Sequence, residues 1–328
     1  MYNFCTLFDS NYLSRGLTLY RSLESVCNDF HVYIFAFDDK SCNVLKQLNL
    51  PKATIISLNE FEDAELLTIK PSRSRAEYCW TSTSSTILYV LKKYHVDMCT
   101  YLDADMMFFE SPKALFDEMG NASIMITEHR YTKRYNKEAL SGIYCVQFIS
   151  FRNDERGLTA LHWWRERCLE WCYARFEEGK FGDQKYLDDW TTRFEGVHVL
   201  QHLGGGMAAW NVQQYDVFEK NGRLCGKEIV SGNEFPIIFY HFHYLKYLGK
   251  EKIELARRIL SDTVLQLLYS PYINKLEAAK KEIGKIDSSF DPHGAGKNTI
   301  NWKTPILFVY RKLFGIYNIY PVEKFLHF

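Results

Sequence analysis

The sequence predicts an α/β fold built on a parallel sheet. Three observations carry that expectation: apolar strand-like runs at 2–8, 31–37 and 53–58, helical-period segments between them, and a further apolar run at 96–102 that ends in Asp103-Ala104-Asp105. Strands alternating with helices place crossover helices on the sheet faces and so favour parallel pairing. The run 2–8 leads through the polar turn Asp9-Ser10-Asn11 into a helix in which Leu13, Leu17 and Tyr20 recur at helical spacing. The strand His31 to Phe37 ends in Asp38-Asp39, and Pro51 breaks the chain ahead of Ala53 to Leu58. A helix from about Arg75 to Tyr94 then feeds the run 96–102. The acidic pair therefore stands at the carboxyl end of a strand, where open α/β sheets hold their ligands.

Ser111-Pro112 predicts a cap and first turn for a helix over 112–119, closed by Gly120-Asn121, which leaves the aspartates free of capping duty. Ser123 to Thr127 and Ile143 to Phe151 read as strands. Asn153-Asp154 then caps a long amphipathic helix with Leu158, Leu161, Trp164, Cys168 and Trp171 on one face, closed by Gly179. Cys168 and Cys172 read as buried packing rather than a metal site.

With 328 residues the chain can bury a large core, and its 40 basic and 40 acidic residues cancel, so net charge gives no support to nucleic-acid binding. Nine cysteines with no Cys-x-x-Cys spacing indicate neither a zinc ribbon nor a disulfide framework. The start Met1-Tyr2-Asn3-Phe4-Cys5 lacks a basic stretch followed by an apolar one, and no run approaches the ~18 apolar residues of a membrane span. These features predict a cytoplasmic protein.

Asp103 and Asp105 share one face if the strand continues through them. Two carboxylates so close on a buried strand are costly unless a cation neutralises them. Three later segments supply the rest of a site. In Phe181-Gly182-Asp183-Gln184 an aspartate stands at a helix start, and in Leu203-Gly204-Gly205-Gly206-Met207 glycines permit a backbone to approach a ligand without forming a phosphate loop. The strand 237–246 ends in His241, His243 and Lys246, both imidazoles on one face, a pattern suited to metal and phosphate. Carboxylates with an imidazole favour Mn2+, or Mg2+, over calcium.

Phe8-Asp9-Ser10-Asn11-Tyr12, Tyr101-Leu102-Asp103-Ala104-Asp105, Gly182-Asp183-Gln184 and His241-Phe242 followed by Lys246 occur in an order that resembles a known family. It is that of the retaining, nucleotide-diphospho-sugar glycosyltransferases of the glycogenin and lipopolysaccharide galactosyltransferase type, glycosyltransferase family 8. The resemblance spans about Tyr2 to Leu248. It implies a GT-A fold with a Rossmann-like sugar-nucleotide half over 1–250, followed by a helical C-terminal region over 251–328.

Carried over, it places Leu7, Phe8, Asp9 and Asn11 at the nucleobase and ribose, Asp103 and Asp105 at the metal with Asp103 also at the ribose, and His241 as third metal ligand. Lys246 contacts the diphosphate, Asp183 hydrogen-bonds the donor sugar, and Gln184 lies near its anomeric carbon. The family's Asn-x-Gly element falls at Cys145-Val146-Gln147, its Tyr-x-Arg-Leu at Glu77-Tyr78-Cys79-Trp80-Thr81, and the lysine stands one place nearer the histidine, without the following Pro-Trp.

The resulting expectation is a metal-dependent hexosyltransferase moving a sugar from a nucleotide-diphosphate sugar, a UDP-sugar, to a glycan, lipid-linked or protein acceptor with retention. A catalytically silent sugar-nucleotide-binding protein of the same fold and an Asp-x-Asp phosphohydrolase are the competing readings; Met106-Met107 after the pair speaks against the second. The tail 301–328 carries Ile306, Leu307, Phe308, Val309, Tyr310, Leu313, Phe314, Ile316 and Tyr317 with Lys303, Arg311, Lys312 and Lys324 against Glu323. This aromatic, basic appendage suits either docking on the core or an anionic membrane surface, which would make the protein peripheral on the inner face.

Overall fold

The computed structural model describes residues 1–296 and 304–326. Its first strands are β1 (Tyr2–Phe8), β2 (Phe30–Ala36), β3 (Ala53–Ser57), β4 (Met98–Leu102) and the short β5 (Met106–Phe108). With β6 (Ile124–Glu128), β7 (Tyr144–Arg152) and β8 (Val197–Val199) they give a seven-stranded sheet of order β3-β2-β1-β4-β7-β6-β8, from which β5 is excluded. The pairs β1–β2, β2–β3, β1–β4 and β6–β8 are parallel, whereas β7 is antiparallel to both neighbours. The all-parallel expectation is corrected there. Residues 129–143, between β6 and β7, hold only single turns of helix, and without a crossover helix the chain returns antiparallel.

The helices on the faces are α1 (Leu13–Val26), α2 (Asp39–Leu48), α3 (Arg75–Tyr94), α4 (Lys113–Met119) and α5 (Glu155–Glu170). A reciprocal box between Ser74 and Glu77 starts α3, and Asp154 starts α5 by accepting from Gly157 N. The cap of α4 is Pro112, one residue later than expected, with Ser111 Oγ accepting from Lys113 N at 3.4 Å. Gly179 does not close α5, which ends at Glu170 as Trp171 turns extended.

β1 shows why its residues read as a continuous apolar run. Phe4 and Phe8 join the core that holds Leu13 and Leu17 of α1, while Cys5 and Leu7 join the one that holds Ile87 and Leu91 of α3.

β9 (Gly205–Ala208) is followed by an antiparallel meander, β10 (Tyr215–Lys220), β11 (Arg223–Glu228) and β12 (Glu234–Pro236). β13 (Phe239–His241) then pairs with β5 and β9 in a small second sheet. β14 (Lys246–Leu248) and β15 (Lys252–Glu254) form a hairpin whose turn contains the 250/251 boundary drawn from sequence. Further on, α6 (Ser270–Gly284) lies on α1, where Arg21 pairs with Glu282 at 2.6 Å.

The C-terminal tail divides. α7 (Thr304–Leu313) stands exposed, with Ile306 63% and Leu313 78% accessible, whereas β16 (Ile319–Pro321) pairs with β15 and the following turn buries Val322 and Phe325. Residues 297–303 and 327–328, Lys303 among them, lie outside the described residues. Among the described residues no helix is long and apolar enough to cross a membrane.

Candidate functional site

A cleft of about 720 Å³ opens at the carboxyl ends of β1 and β4. Leu7, Phe8, Asp9 and Asn11 line one end, Asp103, Asp105 and His241 the middle, and Asp183 and Gln184 the far side. Lys246 does not line it; it lines a neighbouring cavity of about 240 Å³.

The acidic pair is not on one strand face. β4 stops at Leu102, Asp103 N is held by Gln147 O at 3.1 Å, and the chain turns at Ala104-Asp105 into β5 of the second sheet. The turn brings the carboxylates together by a different route from strand periodicity. His241 Nε2, at the end of β13, lies 3.0 Å from Asp105 Oδ1 and 3.7 Å from Asp103 Oδ2. Phe242 N donates to Asp105 O at 2.9 Å, which locks the histidine strand to that turn.

Asp105, His241 and His243 each offer a ligand atom, and those atoms lie within 4.8 Å of one another. Both histidines left open by the sequence thus enter one cluster, with Asp103 beside it. Burial alone would strip the charge from Asp105, but the imidazole of His241 and its hydrogen bond hold that carboxyl well below the usual range. Burial opposes the charge on His241 too, yet Asp105 raises it well above an ordinary imidazole. Burial, with His241 beside it, pushes His243 down to about 4, so at neutral pH it keeps a free lone pair. Burial pushes Asp103 up to about 6, with His241 opposing the shift. An imidazolium and a neutral imidazole between two carboxylates form a donor set that fits a divalent cation, which would take the place of the His241 Nε2 proton.

Gln147, fully buried on β7, fixes this histidine: its Oε1 accepts from His241 Nδ1 at 2.7 Å and leaves Nε2 for a ligand. Trp210 buttresses both imidazoles edge-on, with centroids 5.4 Å from His241 and 5.7 Å from His243, and is pinned by Nε1 donating to His129 O at 2.8 Å.

Asp183 is buried on the turn before a short helical segment, where burial and the nearby Asp103 charge push its carboxyl up to about 7. It does not cap that turn with its side chain. Gln184 donates through Nε2 to Ser141 O at 2.7 Å, leaving the amide oxygen as the end turned away from that anchor. At the other end, Asp9 accepts from Asn11 N at 2.7 Å and pairs with Arg75, which also reaches Asp38 at 3.0 Å.

The glycine-rich segment does not act as a ligand loop. Gly205 and Gly206 are buried strand residues of β9, and a Cβ at Gly204 would meet Pro236 O at 2.0 Å and one at Gly205 would meet Leu115 at 2.6 Å. Glycine there serves strand and side-chain packing. The sequence did not single out Arg75, Trp80, His129, Tyr131, Trp210 or Arg258 as cleft residues. They come from a helix face and from connecting loops, where neither periodicity nor spacing marks them.

No protein-family model matches the chain. Among solved structures it is similar to the galactosyltransferase LgtC in complex with donor and acceptor sugar analogs, at 12% identity and a TM-score of 0.41 over 60% of this chain and 72% of that one. It is also similar to mouse xyloside xylosyltransferase 1, at 13% identity and a TM-score of 0.47 over 74% and 98%. These superpositions are partial, and the α/β assignment rests on the sheet order and the place of the cleft. Two Bacillus subtilis (strain 168) proteins match along almost their whole length: the uncharacterized protein YfnF at 29% identity over 88% of this chain and 96% of its own, and the uncharacterized protein YfnD. With 31% identity over 301 residues, 90% of this chain and 94% of its relative, the chain belongs to the same family as YfnD.

Proposed function

We propose that the protein is a metal-dependent glycosyltransferase that moves a sugar from a nucleotide-diphosphate sugar, a UDP-sugar, to a hydroxyl of a glycan-building acceptor, with retention at the anomeric carbon. One observation carries the reading. The Asp105, His241 and His243 cluster shares a single cleft with Asp103, Asp183 and Gln184, at the strand ends where an α/β sheet binds nucleotides.

In this reading Leu7, Phe8, Asp9 and Asn11 hold the base and ribose, and Asp103 reaches the ribose from the floor of the cleft. Asp105, His241 and His243 hold Mn2+ or Mg2+, with Asp103 adjacent. When bound, that ion supplies positive charge to the departing diphosphate. Lys137 and Arg258, which line both the cleft and the neighbouring cavity, are placed to meet the diphosphate; Lys246 approaches it only from the side of that cavity. Asp183, with its raised pKa, orients sugar hydroxyls as donor or acceptor. The Gln184 amide is a poor nucleophile, so its oxygen serves the oxocarbenium face while the acceptor hydroxyl attacks on the leaving-group side. The new C–O bond forms as the C–O bond to phosphate breaks, and the hydroxyl proton passes to the departing phosphate oxygen.

α7 extends the proposal to an anionic membrane surface. Its exposed Ile306, Leu307, Phe308, Val309 and Leu313 are accompanied by Lys312, while Arg311 turns inward to Glu254 at 2.9 Å; Arg134 donates to Phe314 O at 3.4 Å, and no acidic residue occurs in 304–322.

The test is release of nucleotide diphosphate from a panel of nucleotide sugars, with and without Mn2+, followed by proton NMR of the first glycoside formed. Metal-dependent release and an α-glycoside from an α-configured donor are expected. Full activity in EDTA removes the metal, and a β-glycoside removes retention.

A further inference from the structure

Arg15, in the first turn of α1, is only 3% exposed, and among the described residues no carboxylate pairs with it. A charge taken out of water is costly unless its donors are satisfied. Here the acceptors are backbone carbonyls from three separate parts of the chain. Nη1 donates to Asn11 O at 3.4 Å and to His293 O at 2.9 Å, and Nη2 donates to Leu245 O at 3.1 Å. The guanidinium also lies over the Tyr12 ring, 4.4 Å from its centroid.

Two of these carbonyls belong to opposite ends of the donor site. Asn11 and Tyr12 line the cleft at the end read as holding the base and ribose. Behind that turn stands the segment 291–296. Ser14 N donates to Pro292 O at 3.2 Å, and Gly294, at φ +60°, fits so closely that a Cβ there would meet Asn11 Cβ and O at 2.6 Å. Arg15 holds the same segment through His293 O.

Leu245 ends the turn that carries His243. At the entry of that turn Phe242 N donates to Asp105 O at 2.9 Å, and Leu245 N closes it on Phe242 O at 3.2 Å. Its exit is the carbonyl that Arg15 holds. His243 thus sits between two anchors, one on Asp105 and one on Arg15. Arg15 itself does not line the cleft, so it touches neither a base nor an ion. A rigid fork of five N–H donors can hold several carbonyls at fixed angles, which an ammonium on a flexible stem cannot do.

We propose that Arg15 is a positioning residue that couples the two ends of the donor site. A base seated against Asn11 and Tyr12 and an ion seated on Asp105, His241 and His243 each order one arm of the same guanidinium bridge, so each tightens the binding of the other. The assignment rests on the glycosyltransferase reading above and deepens it.

The test uses uridine, which carries no phosphate and so cannot touch the ion; its effect on metal affinity has to pass through the protein. Free Mn2+ is read by electron paramagnetic resonance in the full-length protein with and without saturating uridine. Uridine is expected to tighten Mn2+ by about fivefold or more, and Mn2+ to tighten uridine by the same factor. In Arg15→Lys, which keeps the charge but not the fork, the factor is expected to fall to about one with the melting temperature close to wild type. Gly294→Ala is the second variant and decides the matter if Arg15→Lys does not fold: it forces His293 O away from Arg15, and its factor should lie below that of the wild type. Wild-type Mn2+ affinity indifferent to uridine at its solubility limit overturns the proposal without any variant, and so does an undiminished factor in either folded variant. Failure of UDP with Mn2+ to bind at all refutes the glycosyltransferase reading instead.

Discussion

Gln147 and His241, 94 residues apart in the chain, are joined by a 2.7 Å hydrogen bond in which the Nδ1–H of the imidazole donates to the buried amide oxygen. The bond does two things. It sets the ring orientation across the boundary between the two sheets, and it commits Nε2 to the side where Asp105 lies. A side chain that touches no ligand can therefore set how well the imidazole binds one. Gln147→Leu is expected to lower Mn2+ affinity roughly 10- to 100-fold, the usual cost of losing such a supporting bond. Electron paramagnetic resonance of free Mn2+ measures this directly, and unchanged affinity in a folded Gln147→Leu protein means the amide only fills space.

The two histidines should contribute separately. Asp105→Ala and His241→Ala are expected to abolish Mn2+ binding and donor turnover with the fold intact, because each removes a ligand atom from the cluster. His243→Ala should weaken Mn2+ by about tenfold or more. Calorimetric titration of the three proteins decides it. Wild-type affinity in His243→Ala would return the site to Asp103, Asp105 and His241, the set expected from the sequence.

How far the sequence could be read is visible at these same residues. The order of the main-sheet strands and the approximate span of α3 follow from apolar periodicity and caps, whereas the meeting of Asp103, Asp105, Asp183 and His241 in one cleft was expected from the family resemblance. What the periodicity could not provide is the turn at Ala104-Asp105, because a two-residue spacing has the same signature in a strand and in a corner. Gln147 was noted only as the place where a family element should fall, and its bond to His241 depends on the register between β4 and β7, which no local pattern encodes. Gly204 to Gly206 misled for the opposite reason, since close approach to a ligand and close approach to Pro236 and Leu115 demand the same residue.

Asp183 gives a pH dependence with a definite sign. Folding raises its carboxyl from 3.8 to about 7, so the folded protein holds the proton more tightly than the unfolded chain. Stability of the ligand-free protein should therefore fall as pH rises from about 4 to about 7 through this group. Asp183→Asn removes the titration, and its stability relative to wild type should improve by about 1–3 kcal/mol between pH 4.5 and 7.5. Urea denaturation at the two pH values checks the slope, which is insensitive to any constant cost of the amide. A flat difference shows that the buried carboxyl is not held protonated.

α7 sets the conditions for a membrane experiment, because the tail is not one unit. Phe325 is buried and its carbonyl accepts from Ser270 Oγ at 3.0 Å and Asn274 Nδ2 at 2.7 Å, so cutting the chain ahead of α7 would strip a strand and a core side chain together with the helix. Point substitutions on the exposed face avoid that. Leu307→Ser, Phe308→Ser and Leu313→Ser together change residues that are 44%, 45% and 78% accessible, and so should leave the melting temperature close to wild type. Burying such side chains in the acyl boundary contributes on the order of 1–3 kcal/mol each, and Lys312 and Arg134 add attraction to phosphatidylglycerol that salt screens. The full chain is expected to float with anionic vesicles and not with neutral ones, and the triple variant to lose most of that binding. Flotation that is absent, or equal for the two proteins, would leave α7 as an exposed helix with no lipid role.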